Sequence, residues 1–146
     1  MIERYSRKQI REIWEDNNKY SIWLDIELAA AEAMEKLKII PRGVVKKVKS
    51  KAKINVKRIS DIENKVKHDV IAFLTSITEK AGKEARYLHK GMTSSDVLDT
   101  CFNLQLKQSG QILLKDIDEL LKSIRKQSIK HKFTLCIGRS LSLIHI

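Results

Sequence analysis

Residues 93–131 read TSSDVLDTCFNLQLKQSGQILLKDIDELLKSIRKQSIKH and predict one long helix. Thr93 and Asp96 have the spacing of a helix cap, in which side-chain oxygens accept from the free N–H groups of the first turn. Gly110 costs about 1 kcal/mol relative to alanine, but the apolar face resumes after it, so we expect the helix to continue to about His131. That face recurs at three- and four-residue steps: Val97, Cys101, Leu104, Leu113, Ile117, Leu120 and Ile124.

The length of this helix indicates that part of its apolar face has no partner within the chain. At about 1.5 Å per residue the helix would span roughly 58 Å. A compact chain of 146 residues is roughly 38 Å across. We therefore expect Leu113, Ile117, Leu120 and Ile124 to await helices from elsewhere. An exposed face of this size also predicts aggregation or a partly molten chain.

An earlier helix is predicted from about Asp16 to Leu37, after a short turn near Ser6–Trp14. Asp16 or Asn17 can cap its start. Pro41 stops it, because a proline disfavours the α conformation at the residue before it. Its core-facing seam is apolar at helical spacing: Tyr20, Trp23, Leu24, Leu28, Ala30, Ala31, Met34 and Leu37.

A middle helix is predicted from about Asp61 to Lys80. Ser60 and Glu63 have capping-box spacing, and Gly82 supplies a left-handed stop. At about 100° per residue the apolar residues share one arc: Ile62, Val66, Val70, Phe73 and Ile77. His68 points away from that arc, which suits either a surface residue or a site that faces a second partner.

The composition favours an all-α fold. Five Gly, one Pro and 5% aromatic residues argue against a β-sandwich or barrel, which needs frequent turn residues. Cys101 and Cys136 form neither a disulfide framework nor a metal knuckle, which favours a reducing compartment. The start has no apolar signal segment, and acidic residues interrupt the longest apolar run, which excludes a membrane span. We expect a cytoplasmic protein without a metal site.

The net charge of +11 comes from 29 basic and 18 acidic residues. Such an excess can indicate nucleic-acid binding. Lysine supplies most of it, however, and lysine is a generic solvated cation rather than a bidentate reader of bases. The densest basic run lies within Pro41–Ser60, where Val45, Val48 and Ala52 recur at helical spacing. We interpret this run as a helix with one packed face and one wet lysine face.

Three short segments carry polar chemistry: residues 4–7, 67–69 and 89–96. The helix entrance after Gly91 offers free N–H groups and hydroxyls, which suit an anion. Arg4 and Tyr5 can clamp a phosphate, and His68 offers an imidazole. Each segment also has an ordinary explanation when it is taken singly: a frayed terminus for residues 4–7, a surface histidine for 67–69 and an ordinary capped helix for 89–96. Taken together, they are donors suited to a multiply anionic ligand.

Four motifs in order resemble the fumarase/aspartase superfamily, on its adenylosuccinate lyase branch. Residues 4–7 read RYSR, 67–70 read KHDV, 88–97 read LHKGMTSSDV and 137–140 read IGRS. The first two favour the adenylosuccinate branch, whereas the last is shared by sister lyases. The resemblance covers residues 1–140 at consistent spacing and implies a helical domain at 1–92 followed, at 93–140, by the first long helix of a central bundle.

The resemblance also implies a reaction and a set of roles. The adenylosuccinate lyase branch cleaves fumarate from adenylosuccinate and from the matching imidazole-carboxamide intermediate, SAICAR. It needs no metal or organic cofactor and acts as a homotetramer. The resemblance implies no nucleic-acid or membrane partner. The motifs carry over eight candidate site residues. Arg4 and Tyr5 would bind the nucleotide portion of the substrate, and Lys67, His68 and Asp69 would line the substrate, with His68 assisting the general acid. Thr93 and Ser94 would hold a carboxylate, and His89 would be a positioning residue.

The sequence departs from the family pattern after Ser140. The pattern has the general-acid histidine next, but this chain has Leu141. Residues 141–146 resemble a translated sequencing adapter rather than lyase sequence, so we expect a truncated, inactive fragment. Three other readings stay open: a sister lyase acting on argininosuccinate or carboxymuconate, a basic nucleic-acid-binding protein, and a helical oligomerisation module without chemistry.

Overall fold

The computed structural model describes residues 2–137. Within that range the chain forms α-helices and no strand, which confirms the all-α prediction. A 3-10 turn, Glu3–Tyr5, precedes the helices, and a second one, Gly82–Tyr87, precedes the last helix. The helices are α1 Lys8–Ile13, α2 Asp16–Lys36, α3 Val44–Lys51, α4 Val56–Val66, α5 Asp69–Ala81 and α6 Ser94–Lys130.

The chain divides into two compact units, Met1–Gly110 and Gln111–Ile146. The first unit contains α1 to α5 and the opening turns of α6. The proposed domain boundary near residue 92 stays a prediction about the whole protein. Helix α6 continues through Gly110, as the apolar pattern on both sides of that glycine predicts.

Three aromatic side chains form the centre of the first unit. The ring centroids of Tyr20 and Trp23 on α2 lie 5.8 Å and 5.4 Å from that of Phe73 on α5. Tyr20 and Trp23 meet edge to face at 5.2 Å, an arrangement that their ring quadrupoles favour. All three are buried. Helix α5 is therefore fixed against α2, which sets the position of its first residues.

The ends of α2 match the prediction to within one residue, but the predicted cap is wrong. The N-cap is Glu15, which makes no side-chain cap hydrogen bond. Asp16 lies inside the helix and pairs instead with Lys19, with 2.7 Å between Oδ1 and Nζ. At the other end, Lys38 adopts a left-handed φ of 59°, so the chain leaves the helix before Pro41 is reached.

The predicted middle helix is wrong as a single element, because the chain breaks at Lys67 and His68. Lys67 adopts a left-handed φ of 56° and ends α4, while His68 is the extended N-cap of α5. Asn55, rather than Ser60, caps α4 by accepting from the N–H of Arg58 at 3.0 Å. Val66, predicted to face the core, is exposed as a result.

Helices α4 and α5, which lie on either side of this break, are joined by an ion pair. Arg58 on α4 donates from Nε and Nη2 to the two carboxylate oxygens of Glu79 on α5, at 3.0 Å and 2.5 Å. These hydrogen bonds lower the pKa of Glu79 below its ordinary value. The two helices therefore pack as a hairpin whose turn is Lys67 and His68.

The lysine run is divided between α3 and α4 rather than forming one helix. Val44 and Val48 of α3 are buried, and the neighbouring Lys46, Lys47 and Lys49 are exposed. The prediction of a single helix is therefore wrong. The packed face agrees with the prediction in part, because Val48 is buried and Val45 and Ala52 are half-buried against the core.

The opening turns of α6 pack into the first unit through a seam that differs from the prediction at one position. Val97 and Cys101 are buried as predicted, and burial raises the pKa of the Cys101 thiol. Leu104 is exposed, however, and Gln105 takes the inward position. Gln105 Nε2 donates to the carbonyl of Ile13 at 2.7 Å, so this amide satisfies the backbone at the end of α1.

In the second unit, the apolar residues of α6 are open to solvent, as predicted. Leu113, Ile117, Leu120 and Ile124 are 51–58% exposed. Leu114 and Leu121 widen the same surface.

Two glycines should respond in opposite directions to alanine. Gly82 has φ 77° and ψ −154°, a region that is essentially restricted to glycine, and we expect Gly82→Ala to destabilise the chain by about 1–3 kcal/mol. Gly110 is helical, so Gly110→Ala should stabilise α6 by about 0.5–1 kcal/mol. An added Cβ meets nothing within 4 Å at either position. Backbone conformation alone therefore decides whether alanine stabilises or destabilises the chain. Urea denaturation followed by circular dichroism measures both; equal effects would contradict the assignment.

Candidate active site

The amino-terminal motif forms an exposed 3-10 turn. Arg4 and Tyr5 both lie on the surface, with the Arg4 guanidinium carbon 5.6 Å from the centroid of the Tyr5 ring. The Ser6 hydroxyl donates to the carbonyl of Ile2 at 3.0 Å and closes the turn. Glu3 forms an ion pair with Arg11 of α1, which ties the turn to the first unit. Arg4 and Tyr5 are therefore held on a fixed turn with their polar groups open to a ligand.

The second motif lies at the start of α5, and this corrects the position predicted for His68. His68 does not lie on the back of a helix; its Nδ1 accepts from the N–H of Ile71 at 3.5 Å and caps α5. Asp69 Oδ1 accepts from the N–H of Val70 at 2.7 Å. Because Nδ1 faces the backbone of α5, the ring nitrogen left for a ligand is Nε2, on a side chain that is 48% exposed.

The electrostatic setting of this motif favours an anion. The N-terminus of a helix carries partial positive charge from its unpaired N–H groups. Lys67 adds a full positive charge directly before α5 and is exposed. Asp69 opposes that charge, and its carboxylate lies 3.5 Å from Nδ1 of His68. The segment therefore offers a cation, an imidazole and a carboxylate within three residues, a set suited to proton transfer beside a charged ligand.

The third motif opens α6. The N–H of Thr93 donates to Oδ2 of Asp96 at 2.7 Å, which is one half of the predicted capping interaction. Ser94 is the first helical residue and is half-buried, whereas Thr93 is exposed. The two hydroxyls thus stand at the positive end of a long helix, where a carboxylate is stabilised by N–H and O–H donors.

His89 is the best-fixed polar residue among the eight predicted ones. Its backbone N–H donates to Oε2 of Glu27 at 2.6 Å, and its ring Nδ1 lies 2.7 Å from Oε1 of the same carboxylate. The Glu27 side chain is 0% exposed and that of His89 is 19% exposed. His89 also has a left-handed φ of 59°, which is uncommon for a residue other than glycine.

Glu27 is the site residue that sequence reasoning missed. The signal was present in α2, because Glu27 falls on the core face, four residues after Trp23 and four before Ala31, both of which are buried. An acid on such a face needs a partner, since a buried charge without one is strongly unfavourable. The partner is distant in sequence, so the pattern of α2 alone did not indicate it.

Two contacts described above join a segment to another part of the chain: the ion pair between Glu3 and Arg11, and the link between Glu27 and His89. The other contacts are local. The link between Glu27 and His89 holds the loop before Thr93 and Ser94 against α2. The meeting of all three segments around one ligand stays a prediction. Among residues 2–137, no group of three or more His, Cys, Asp or Glu side chains is placed to hold a metal ion.

A comparison with protein families gives the decisive observation. The family model described as Lyase matches residues 3–141 of this chain. The chain belongs to this lyase family. The family predicted from the four motifs is thereby confirmed. Ile137 of the fourth motif is described by the structure, whereas residues 138–140, Leu141 and the 141–146 tail lie outside the described residues.

Curated members of the lyase family resemble the chain along nearly all of its length. It is 46% identical over 140 residues to an adenylosuccinate lyase of Synechocystis sp., a match covering 96% of this chain and 32% of that protein. It is 43% identical over 143 residues to an adenylosuccinate lyase of Aquifex aeolicus, covering 96% of this chain and 33% of that protein. The chain thus spans about a third of the length of these relatives.

Solved structures share the fold. A fumarate lyase from Mesorhizobium sp. BNC1 superposes with a TM-score of 0.83 at 24% identity, covering 93% of this chain and 34% of that one. A β-carboxy-cis,cis-muconate cycloisomerase from Acinetobacter calcoaceticus superposes with a TM-score of 0.80 at 24% identity, covering 92% and 33%. At this identity the likeness shows the fold alone.

Proposed function

We propose that this chain supplies the amino-terminal part of an adenylosuccinate lyase, which eliminates fumarate from adenylosuccinate and from SAICAR. The observation that carries the proposal is the similarity to two curated adenylosuccinate lyases, at 46% and 43% identity over 96% of the chain. The exposed donors at the starts of α5 and α6 support it, because both substrates are multiply anionic.

The reaction requires charge to be stabilised as it develops. A base removes a proton beside a carboxylate, and the resulting negative charge spreads into that carboxylate while an acid protonates the departing nitrogen. Fixed donors aimed at the carboxylate lower the barrier, because they stabilise the charge more in the transition state than in the substrate. Thr93 and Ser94, at the positive end of α6, are our candidates for this role.

The remaining residues take binding and assisting roles in the proposal. Arg4 and Tyr5 bind the nucleotide portion from their exposed turn. Lys67, His68 and Asp69 line the substrate at the start of α5. His68 assists the general acid through Nε2, which is the nitrogen that its capping contact leaves for a ligand.

The proposal extends to the assembly and the setting of the whole protein. The exposed apolar residues of α6, from Leu113 to Ile124, are suited to packing against further helices, which supports a homotetramer built on a central bundle. None of the helices between residues 2 and 137 is long and apolar enough to cross a membrane. We place the protein in the cytoplasm, acting on a small molecule without a cofactor and without nucleic acid.

A chimera tests the function. The segment of the Synechocystis enzyme that aligns with this chain is replaced by residues 1–140, and fumarate release from adenylosuccinate is measured. We expect the chimera to be active, because the replacement is 46% identical and keeps the proposed donors. The 146-residue chain alone should release no fumarate, since Leu141 occupies the place of the general acid.

Two results would contradict the proposal. One is a folded chimera that releases no fumarate from adenylosuccinate and binds adenylosuccinate no better than argininosuccinate. The other is fumarate release by the isolated chain above a blank. Salt-dependent binding of the isolated chain to duplex DNA, with a steep fall in affinity as salt rises, would favour the nucleic-acid alternative instead.

A further inference from the structure

One buried acid in the first unit is not used by the proposed reaction. The carboxylate of Glu27 has no exposure to solvent, and each of its oxygens meets one nitrogen of His89: the backbone N–H at 2.6 Å and ring Nδ1 at 2.7 Å. The backbone N–H can only donate. Two short contacts to one residue hold the ring and the main chain of His89 together.

The backbone of His89 supports a role beyond packing. A left-handed φ of 59° is uncommon in histidine, and such conformations persist only where surrounding contacts fix them. The Glu27 carboxylate provides one such contact, because its Oε2 accepts from the backbone N–H of His89 at 2.6 Å. The chain then leads through Gly91 to Thr93 and Ser94 at the start of α6.

We infer that Glu27 is a positioning residue that holds the His89 ring with its proton on Nδ1 and presents Nε2 to the ligand. A buried carboxylate that accepts from Nδ1–H fixes both the tautomer and the orientation of an imidazole. Nε2 is then the only ring nitrogen left for substrate. The ligand side of this inference rests on the proposed function, whereas the tautomer does not.

Glutamine separates this role from simple packing. In Glu27→Gln, the amide oxygen can still accept from the backbone N–H of His89. The amide nitrogen is a donor, however, and it can face Nδ1 only if Nδ1 carries no proton. The substitution should therefore move the proton to Nε2 while leaving the size and shape of the side chain nearly unchanged.

Nitrogen NMR of the ring tests the inference directly. The 146-residue chain is labelled with 15N-histidine and studied by magic-angle-spinning NMR, which reads the sample whether it is dispersed or self-associated. The His89 signals are assigned by their loss in His89→Gln. We expect wild-type His89 to show a protonated Nδ1.

The variants give the contrast. Glu27→Gln should shift His89 to the Nε2–H form, and Glu27→Asp should restore part of the Nδ1–H signal. Glu35→Gln is the matched control, because Glu35 also lies on α2 and accepts from a backbone N–H, that of Val45 at 2.7 Å, but contacts no imidazole in the described structure. It should leave His89 unchanged. A neutral wild-type His89 with its proton on Nε2 would overturn the inference without any variant, even if Glu27→Gln fails to fold.

The chimera described above separates failure of this inference from failure of the proposed function. There, Glu27→Gln should lower kcat/KM for adenylosuccinate by about tenfold or more, with partial recovery in Glu27→Asp. A folded chimera that neither prefers adenylosuccinate nor releases fumarate, together with the expected Nδ1–H signal, would reject the proposed function and keep the positioning role. If Glu27→Gln alters the tautomer of His89 but leaves kcat/KM of an active chimera unchanged, the link from Glu27 to the ligand is rejected.

Discussion

Replacing Phe73 with alanine should lower the free energy of unfolding by about 3–5 kcal/mol, the usual range for a buried phenylalanine. Phe73 is 0% exposed, and its ring touches both Tyr20 and Trp23. Truncation therefore removes apolar burial, leaves a cavity and breaks two ring contacts at once. Urea denaturation followed by circular dichroism measures the loss.

Phe102→Ala is the matched control for this prediction. Phe102 also contacts a tryptophan, with 6.0 Å between its ring centroid and that of Trp14, but it is 51% exposed. We expect it to cost only about 0.5–1.5 kcal/mol. Equal losses for the two variants would mean that the aromatic cluster is not the centre of the first unit.

Replacing His68 with asparagine in the chimera should lower kcat by about 10²–10⁴-fold, the usual contribution of a positioned acid or base. Asparagine is among the best N-cap residues, so it can accept from the first turn of α5 as His68 does. It has no titratable ring. The variant should therefore retain its stability to within about 0.5 kcal/mol, and the loss of rate should report on the imidazole alone.

A second histidine controls for general effects of the substitution. His131 follows the end of α6, where its Nδ1 lies 3.2 Å from the hydroxyl of Thr134, and His131→Asn should leave the rate unchanged. A His68→Asn chimera within threefold of the parent would contradict the assisting role and leave His68 with its capping role only.

The helices that the sequence predicted well are those whose apolar period and end signals agree. Helices α2 and α6 lie within about one residue of their predicted bounds. The break between α4 and α5 was missed because the apolar period from Ile62 to Ile77 continues across it and no glycine or proline marks it. Lys67 adopts the left-handed conformation there at a cost of roughly 1–2 kcal/mol, and the packing of α4 against α5 compensates for it.

The candidate site was predictable to the level of segments but not to the level of contacts. The polar motifs identify Arg4, His68 and Thr93 as candidates without any structure, because their polar groups are local properties of the sequence. The position of His68 at the start of a helix was missed. The contact between Glu27 and His89 joins residues 62 positions apart, and helical periodicity carries no information at that separation. The same limit explains Gln105, whose inward position depends on the carbonyl of Ile13.

The burial of Glu27 also has a consequence for synthesis on the ribosome. Helix α2 leaves the exit tunnel with a carboxylate on its inner face, and His89, the partner of that carboxylate, is translated 62 residues later. Until it arrives, docking α2 would dehydrate a charge without compensation. We therefore expect α2 to dock late during synthesis, after the segment containing His89 has emerged.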